Sequence, residues 1–416
     1  MIFSLFIAAL ITRNGDIAWL MLPFLAYLGA GILQAPPLDQ VRLSARRSLE
    51  QTRSMDNPSV GVCLSIENHS PGKVFLSIDE TVQAGMKILD GELRQTASLQ
   101  AGETAELKYT FTADRGNYSW KSIRSVLSDP LGLIEKEMIL PADAAIQIRP
   151  QIKRFKAIPF RPNSTLHSPG SIPARLAGTG TDFFGVREYH PGDSLRWLDW
   201  RLTARHPRKF FTKEFEQEEI AEIGLVLDAR HKTNLKFAEK SLFESSIGAT
   251  ASLAEMFLHQ GHRVSLLVFG ETLLEAFPGY GKQQLHRILG CLSRAKIGSE
   301  DSNNISLDLL PLSMFPNHAL LVFISPIASD DRSLFLRLRA ANYQVLLISP
   351  DPLNFAYPVL PQEIDSRLAV RTAHVERRLR LNAIARLQIP VIDWQVRQPL
   401  YPLVRNALAR SRGQAE

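Results

Sequence analysis

Between Ile17 and Leu33 the chain reads IAWLMLPFLAYLGAGIL, with no charged residue. With Gln34 the run reaches 18 residues, or about 27 Å of helix at ~1.5 Å per residue, close to the ~30 Å hydrocarbon core of a bilayer. A buried core helix needs a polar stripe, and this run has none. Trp19 and Tyr27 stand as candidate interfacial anchors. A shorter apolar run, Ile2 to Thr12, precedes it across the turn-like Arg13-Asn14-Gly15-Asp16. No basic residue precedes the first run, which argues against a secretory signal peptide. The expectation is a transmembrane helical hairpin over residues 1–35, with a short first arm. Arg42, Arg46, Arg47 and Arg53 follow, against Asp39 and Glu50. The positive-inside bias then places the chain at the inner (cytoplasmic) membrane, with its bulk facing the cytoplasm and the lipid bilayer as a partner.

A length of 416 residues predicts about two to four domains. The formal charge of +6 is too small for this length to mark a dedicated nucleic-acid binder. Hydrophobic residues at 45% and charged residues at 22% exclude wholesale disorder and collagen-like repeats. Cys63 and Cys291 lie far apart and make no disulfide framework, zinc knuckle or redox pair.

Residues 36–150 read as an all-β, immunoglobulin-like sandwich. Pro36-Pro37 ends the apolar run. VGVCLSI (Val60 to Ile66), KVFLSI (Lys73 to Ile78) and AELKYTF (Ala105 to Phe111) have strand spacing. Turn chemistry separates them at Asn68-His69-Ser70-Pro71-Gly72, Asp90-Gly91 and Ala101-Gly102.

Residues 151–218 read as a linker and a distinctive motif. Gly178 and Gly180 give a flexible approach, Phe183 and Phe184 an apolar anchor, and Pro191-Gly192-Asp193 a strong turn. Arg187, Asp193, Arg196, Asp199 and Arg205 alternate in charge among aromatics that include Tyr189 and Trp200. Interleaved with Phe, Tyr and Trp, these charges predict a partly buried ion-pair network, because guanidinium forks bind carboxylates bidentately. Two roles stay open: a docking surface rich in Arg, Trp and Tyr, or a latch holding the sandwich against the next domain. A third assigns acid and base roles to Asp193 and Asp199, with no nucleophile or metal pattern to accompany them.

The string resembles the bacterial and archaeal "domain of unknown function 58" family. The match runs through Gly178, Gly180, Phe183, Arg187, Tyr189, Pro191, Gly192, Asp193, Arg196, Asp199, Trp200, Ala204 and Arg205. Arg115-Gly116-Asn117-Tyr118 and Ser128-Asp129-Pro130-Leu131-Gly132-Leu133 are similar to the segment joining that family's sandwich to its core.

Residues 219–412 alternate apolar strands with helices. The strand patterns are IGLVL (Ile223 to Leu227), VSLLVF (Val264 to Phe269), ALLVFI (Ala319 to Ile324), VLLI (Val345 to Ile348) and Pro390 to Trp394. This predicts an α/β domain with a largely parallel sheet. The resemblance implies that it is similar to a von Willebrand factor type A domain, Rossmann-like, with a Mg²⁺ site where the first strand ends. The usual Asp-x-Ser-x-Ser ligands are here Asp228-Ala229-Arg230-His231-Lys232, and Ser325-Pro326 stands where an acid is common. Asp228 is thus a degenerate metal position. Arg230 and Lys232 would repel a cation, and an arginine could pair with Asp228 instead, so no metal and no cofactor are expected.

Weaker signals are His259-Gln260-Gly261-His262, read as a solvent-exposed helix end, and His190 and His206 beside the motif. Residues 366–412 hold ten arginines against Glu376 and Asp393, read as an amphipathic helix with a solvated face, or one touching acidic lipid or an acidic partner. The functional expectation is a membrane-anchored, non-enzymatic interaction module. The resemblance implies partnership with a MoxR-type AAA+ ATPase in assembly or maturation of membrane or envelope proteins. The alternatives are an enzyme using Asp193 and Asp199, and a metal-dependent adhesion module.

Overall fold

The computed structural model describes residues 19–34, 41–52, 59–128, 135–158, 172–206, 208–231, 236–237, 240–299, 305–317, 319–356 and 364–410, with Ile7, Leu10, Ile11 and Asp16. Most of the first apolar arm, Asn14-Gly15, Pro36-Pro37, Arg53, Asp129 to Leu133 and Lys232 lie outside the described residues. The chain divides into two compact units, Met1–Ile148 and Arg149–Glu416.

In the first unit, residues Leu22–Gln34 form a helix of 13 residues, about 20 Å at ~1.5 Å per residue. Trp19 is already helical, a turn at Leu20-Met21 follows, and Pro23 sits in the first turn of the next helix, where its missing N–H loses no hydrogen bond. No helix among the described residues is long and apolar enough to cross a membrane. The expected transmembrane hairpin over residues 1–35 is therefore withdrawn.

Eight strands follow: β1 (Leu43–Thr52), β2 (Ser59–Asn68), β3 (Val74–Asp79), β4 (Met86–Gly91), β5 (Arg94–Leu99), β6 (Thr104–Ala113), β7 (Gly116–Ser128) and β8 (Glu135–Ile148). They make two antiparallel four-stranded sheets, ordered β1-β2-β6-β4 and β5-β3-β7-β8. Alternation decides what is buried: Val60, Val62, Leu64 and Ile66 of β2 face inward with Leu107, Tyr109 and Phe111 of β6. Val74, Leu76, Ile78, Ile123 and Leu127 supply the opposing sheet. The turn after β2 is held by Asn68, whose buried amide donates to the carbonyls of Gly72, Leu99 and Gln100 at 2.9, 3.1 and 3.1 Å.

Arg47 was read as a membrane-flanking charge, and this is corrected. It lies in β1 with its side chain fully buried. Its Nη2 donates to Glu80 Oε2 at 2.5 Å and its Nη1 to the Ala142 carbonyl at 2.9 Å. The guanidinium also sits 5.3 Å from the Trp120 ring centre. Burial lifts the Glu80 carboxyl above its ordinary range, with Arg47 opposing that rise. One ion pair thus joins a strand of one sheet to the other sheet.

The second unit is built on a six-stranded sheet, ordered β15-β14-β11-β16-β17-β18. Its strands are β11 (Glu222–Asp228), β14 (Arg263–Phe269), β15 (Leu274–Gly279), β16 (Leu320–Ile324), β17 (Gln344–Pro350) and β18 (Val391–Trp394). All pairings are parallel except the edge hairpin β14–β15. A two-stranded sheet, β9 (Ile172–Glu188) with β10 (Phe211–Glu219), precedes it, and β12 (Lys236–Phe237) and β13 (Lys240–Ser241) pair between β11 and β14. Leu225 and Leu227 face a core shared with helices Leu242–His259, Gly281–Arg294 and Leu400–Arg410. Val226 faces the other core, with helices Arg332–Ala340 and Ile364–Ala385. The start of the segment read as a linker belongs to the first of these cores: Ile158 is buried there, and the Lys153 amide donates to Ser252 Oγ at 2.9 Å.

The expected fold class is corrected on a second count. The described residues hold more strand than helix, and the von Willebrand factor A-like, Rossmann-like identification does not stand. Where that identification needs an open ligand loop, β11 ends in a closed arginine–carboxylate cluster. Arg47→Leu should cost roughly 3–5 kcal/mol, because Glu80 is left buried without its partner. Urea denaturation checks this, and Arg47→Leu/Glu80→Leu should recover much of the loss.

Candidate functional site

The motif forms the connection between β9 and β10. Their antiparallel register pairs Glu188 with Phe211, Arg187 with Thr212 and Gly178 with Phe215. Gly180 lies within β9, and Phe183, also on β9, is exposed. Beyond Tyr189 the chain turns at Pro191-Gly192, where Gly192 has φ +114°, a conformation that favours glycine. The Asp193 amide closes the turn onto the His190 carbonyl at 3.0 Å.

Arg187 clamps this turn. Its Nη1 and Nη2 donate to Asp193 Oδ2 and Oδ1 at 2.7 and 2.8 Å, and its Nε lies 2.7 Å from Glu214 Oε1 on β10. The Arg187 hydrogen bonds, followed by the His190 amide, pull the Asp193 pKa down to about 2. Such a carboxylate stays ionised at neutral pH and is a poor general acid. Asp199 does a different job: its Oδ1 accepts from the amides of Arg201 and Leu202, each at 3.0 Å, and caps the one-turn helix Trp200–Thr203. Thr203 Oγ1 accepts from the Phe211 amide at 3.0 Å, and Leu198 bridges Thr212, fastening the connection to β10.

The expected single network of five charges is therefore corrected. Arg187 and Asp193 pair, Asp199 is a helix cap, and Arg196 and Arg205 are exposed. Trp200 is 66% exposed rather than core, so its truncation carries no large packing cost. Tyr189 meets Phe210 edge to face, with ring centres 6.5 Å apart. Glu214 was missed, because its place beside Arg187 follows from strand register, one diagonal step from the Arg187–Thr212 pair.

A fully buried polar cluster lies at the carboxyl end of β11, where the strand order reverses between β14 and β16. Arg230 is 0% exposed. Its Nε and Nη2 donate to Asp228 Oδ1 and Oδ2 at 2.9 and 2.8 Å. Nη1 and Nη2 donate to Asp331 Oδ1 and Oδ2 at 2.9 and 2.8 Å, and Nη1 also reaches the Ile305 carbonyl at 3.4 Å. Ser325 Oγ donates to Asp228 Oδ2 at 2.6 Å, and the Ala328 amide donates to Asp331 Oδ2 at 2.7 Å. Burial works against the guanidinium's charge, but hydrogen bonds to Asp228 and Asp331 outweigh it and hold the pKa above its ordinary value. The cation at this edge is thus part of the chain, and the carboxylates around it fit a guanidinium rather than a metal ion. Among the described residues, no three His, Cys, Asp or Glu side chains converge as metal ligands.

The loop after β16 is strained between two buried arginines. Ile327 has φ +62°, unusual for a β-branched residue. Its amide is held by Ser325 Oγ at 3.1 Å. The Pro326 carbonyl accepts from Arg377 Nη1 at 3.2 Å, and Arg377 Nη2 donates to Ser349 Oγ at 3.2 Å and Asp393 Oδ1 at 2.6 Å.

His262 does not lie on a solvent-exposed helix end. His259 is exposed, but His262 is buried at 2% exposure, and burial lowers its pKa to about 4. His190 and His206 are exposed, with His206 against the Phe211 ring.

Arg230→Ala should cost at least ~4 kcal/mol, because two buried carboxylates lose their counter-charge; chemical denaturation at neutral pH reads this. His262 binds its proton less readily folded, near pH 4, than unfolded, near 6.5. Its contribution is complete above pH ~6.5 and is lost as pH falls toward ~4, by on the order of 3 kcal/mol. His262→Phe should remove that part of the acid sensitivity in paired urea titrations at about pH 7.5 and 4.5.

Residues 185–379 match the family model described as "Protein of unknown function DUF58". The chain is 26% identical over 271 residues to the uncharacterized protein YeaD of Bacillus subtilis, covering 62% of this chain and 64% of that one. It is 24% identical over 190 residues to the uncharacterized protein Rv1480 of Mycobacterium tuberculosis, covering 44% of this chain and 59% of that one. The chain therefore spans less than two thirds of either relative. Among solved structures, the FixG-related protein of Vibrio parahaemolyticus is 15% identical, covering 25% of this chain and 94% of that one, at a TM-score of 0.17. The Amycolatopsis orientalis exo-chitosanase CsxA is 10% identical, covering 84% of this chain and 32% of that one, at a TM-score of 0.20. Likenesses of that size carry no argument. From Gly185 on β9 to Leu379, the chain carries a DUF58 domain match.

Proposed function

We propose that the chain is a non-enzymatic interaction module that docks a partner through the connection between β9 and β10. The observation carrying this reading is Trp200, 66% exposed, on a segment that also presents Arg196, Arg201 and Arg205 to solvent. An exposed indole among guanidinium groups is the composition of an interface hot spot. Its backbone is held in place before any partner arrives, by the Arg187 clamp on one side and the Asp199 cap on the other. Preorganisation of this kind lowers the ordering cost of association. The basic character favours an acidic partner surface.

The partner class follows from the family resemblance: a MoxR-type AAA+ ATPase, with the chain acting as its adaptor in assembly or maturation of membrane or envelope proteins, at the cytoplasmic face of the inner membrane. In support of a binding role over an acid–base one, Asp193 is bound bidentately by Arg187 and Asp199 is engaged as a helix cap.

Binding of the purified chain to a purified MoxR-type ATPase from the same organism tests this by calorimetry. Trp200→Ala should weaken the complex by about tenfold or more, with an unchanged melting temperature because the ring is exposed. Arg196→Ala should weaken it as well. An undetectable wild-type complex, or equal affinities for all three proteins, would contradict the reading.

A further inference from the structure

Helix Ile364–Ala385 is apolar on two opposite faces. One is buried. Leu381 and Ile384 enter the core, and Arg377 is fixed by the Pro326 carbonyl, Ser349 and Asp393. These contacts set the rotation of the helix. Leu368, Val375 and Leu379 are consequently turned outward, 55, 59 and 64% exposed. They are spaced by seven and then four residues, about two turns and one turn at ~3.6 residues per turn, so they share one stripe.

The flank of that stripe is basic. Arg367, Arg371 and Arg378 are exposed along one side, and Arg386 follows just past the helix end. Glu376 is the one carboxylate between Arg367 and Arg386, and that stretch has no Phe, Tyr or Trp. Aliphatic side chains on a convex helix, with guanidinium groups alongside and no aromatic anchor, differ from a protein hot spot, which is enriched in Trp and Tyr set in pockets. They suit the headgroup boundary of a bilayer: the aliphatic groups enter it, while the arginines extend their stems and bond lipid phosphates.

We propose that the outward face of helix Ile364–Ala385 docks onto a membrane surface rich in acidic phospholipids. Charge complementarity with such a leaflet selects this occupant, at roughly fivefold in affinity per arginine near the surface. Attachment of this kind is peripheral and reversible, and it is independent of the β9–β10 connection.

The test is co-sedimentation of the full chain with vesicles of phosphatidylcholine alone, or mixed with phosphatidylglycerol. Wild type is compared with Arg371→Glu/Arg378→Glu and with Leu368→Ser/Leu379→Ser. All four positions are exposed, so folding should persist, and thermal melts confirm it. Lipid affinity from other segments is common to all three proteins, so the difference between them reads this face. Wild type should bind the anionic vesicles, less tightly as salt rises, and both double variants should bind about tenfold or more weakly. Equal binding of wild type to both vesicle types overturns the proposal, as does unchanged binding of the double variants. Variants that keep vesicle binding but lose the ATPase of the preceding section would mark a protein-binding face and also overturn it.

Discussion

A guanidinium occupies the point where the strand order of the six-stranded sheet reverses. In open α/β sheets that crevice, at the carboxyl ends of the strands, is where ligands usually enter. Here Arg230 fills it from within, bonded bidentately to both Asp228 and Asp331. Desolvating three charges together is costly, and only their mutual hydrogen bonds offset it. The arrangement therefore survives only if the end of β11 at Asp228 and the segments carrying Ile305 and Asp331 stay where they are. The cluster joins segments that are two, 75 and 101 residues from Arg230 in sequence.

That constraint propagates along one loop. Ser325 bonds Asp228, and the next carbonyl, Pro326, is held by Arg377 from helix Ile364–Ala385. Between Arg230 and Arg377 sits Ile327, with a left-handed backbone that both anchors over-determine. The rotation of helix Ile364–Ala385 is thus tied, through two buried arginines, to the closure of the sheet edge. The β9–β10 connection is organised separately, by an arginine clamp that stays partly solvated. The molecule uses buried guanidinium groups to fix structure and exposed ones to present charge. Arg47 in the sandwich belongs to the first group.

Much of the architecture was legible because apolar runs and turn residues are local signals. IGLVL, VSLLVF and VLLI fall on strands, as does ALLVFI but for its first residue, Ala319, and the Pro191-Gly192 turn has the positive torsion its glycine predicts. Long-range pairing was not legible. Arg47 lies among residues that look membrane-flanking, and Glu80 is 33 positions away. Asp331 is 101 positions from Arg230, and nothing between them announces the contact. The apolar run after Ile17 has the composition of a spanning helix, but a turn at Leu20-Met21 interrupts it and leaves the short helix Leu22–Gln34 with Pro23 in its first turn. Alternating charges around Trp200 suggested burial, although sequence spacing cannot say whether an aromatic residue faces a core or a partner.

Native-state hydrogen exchange reads whether Arg230 locks the carboxyl edge of the sheet. The amides of Arg230, Ile327 and Ala328 donate to Asp228, Ser325 and Asp331 within the cluster. If the edge is locked, these three amides should exchange only through unfolding of the whole unit, as slowly as the amides in the middle of β11 and β16. Exchange at loop-like rates, with those strands still protected, would show that the edge opens on its own and that the arginine cluster does not close it.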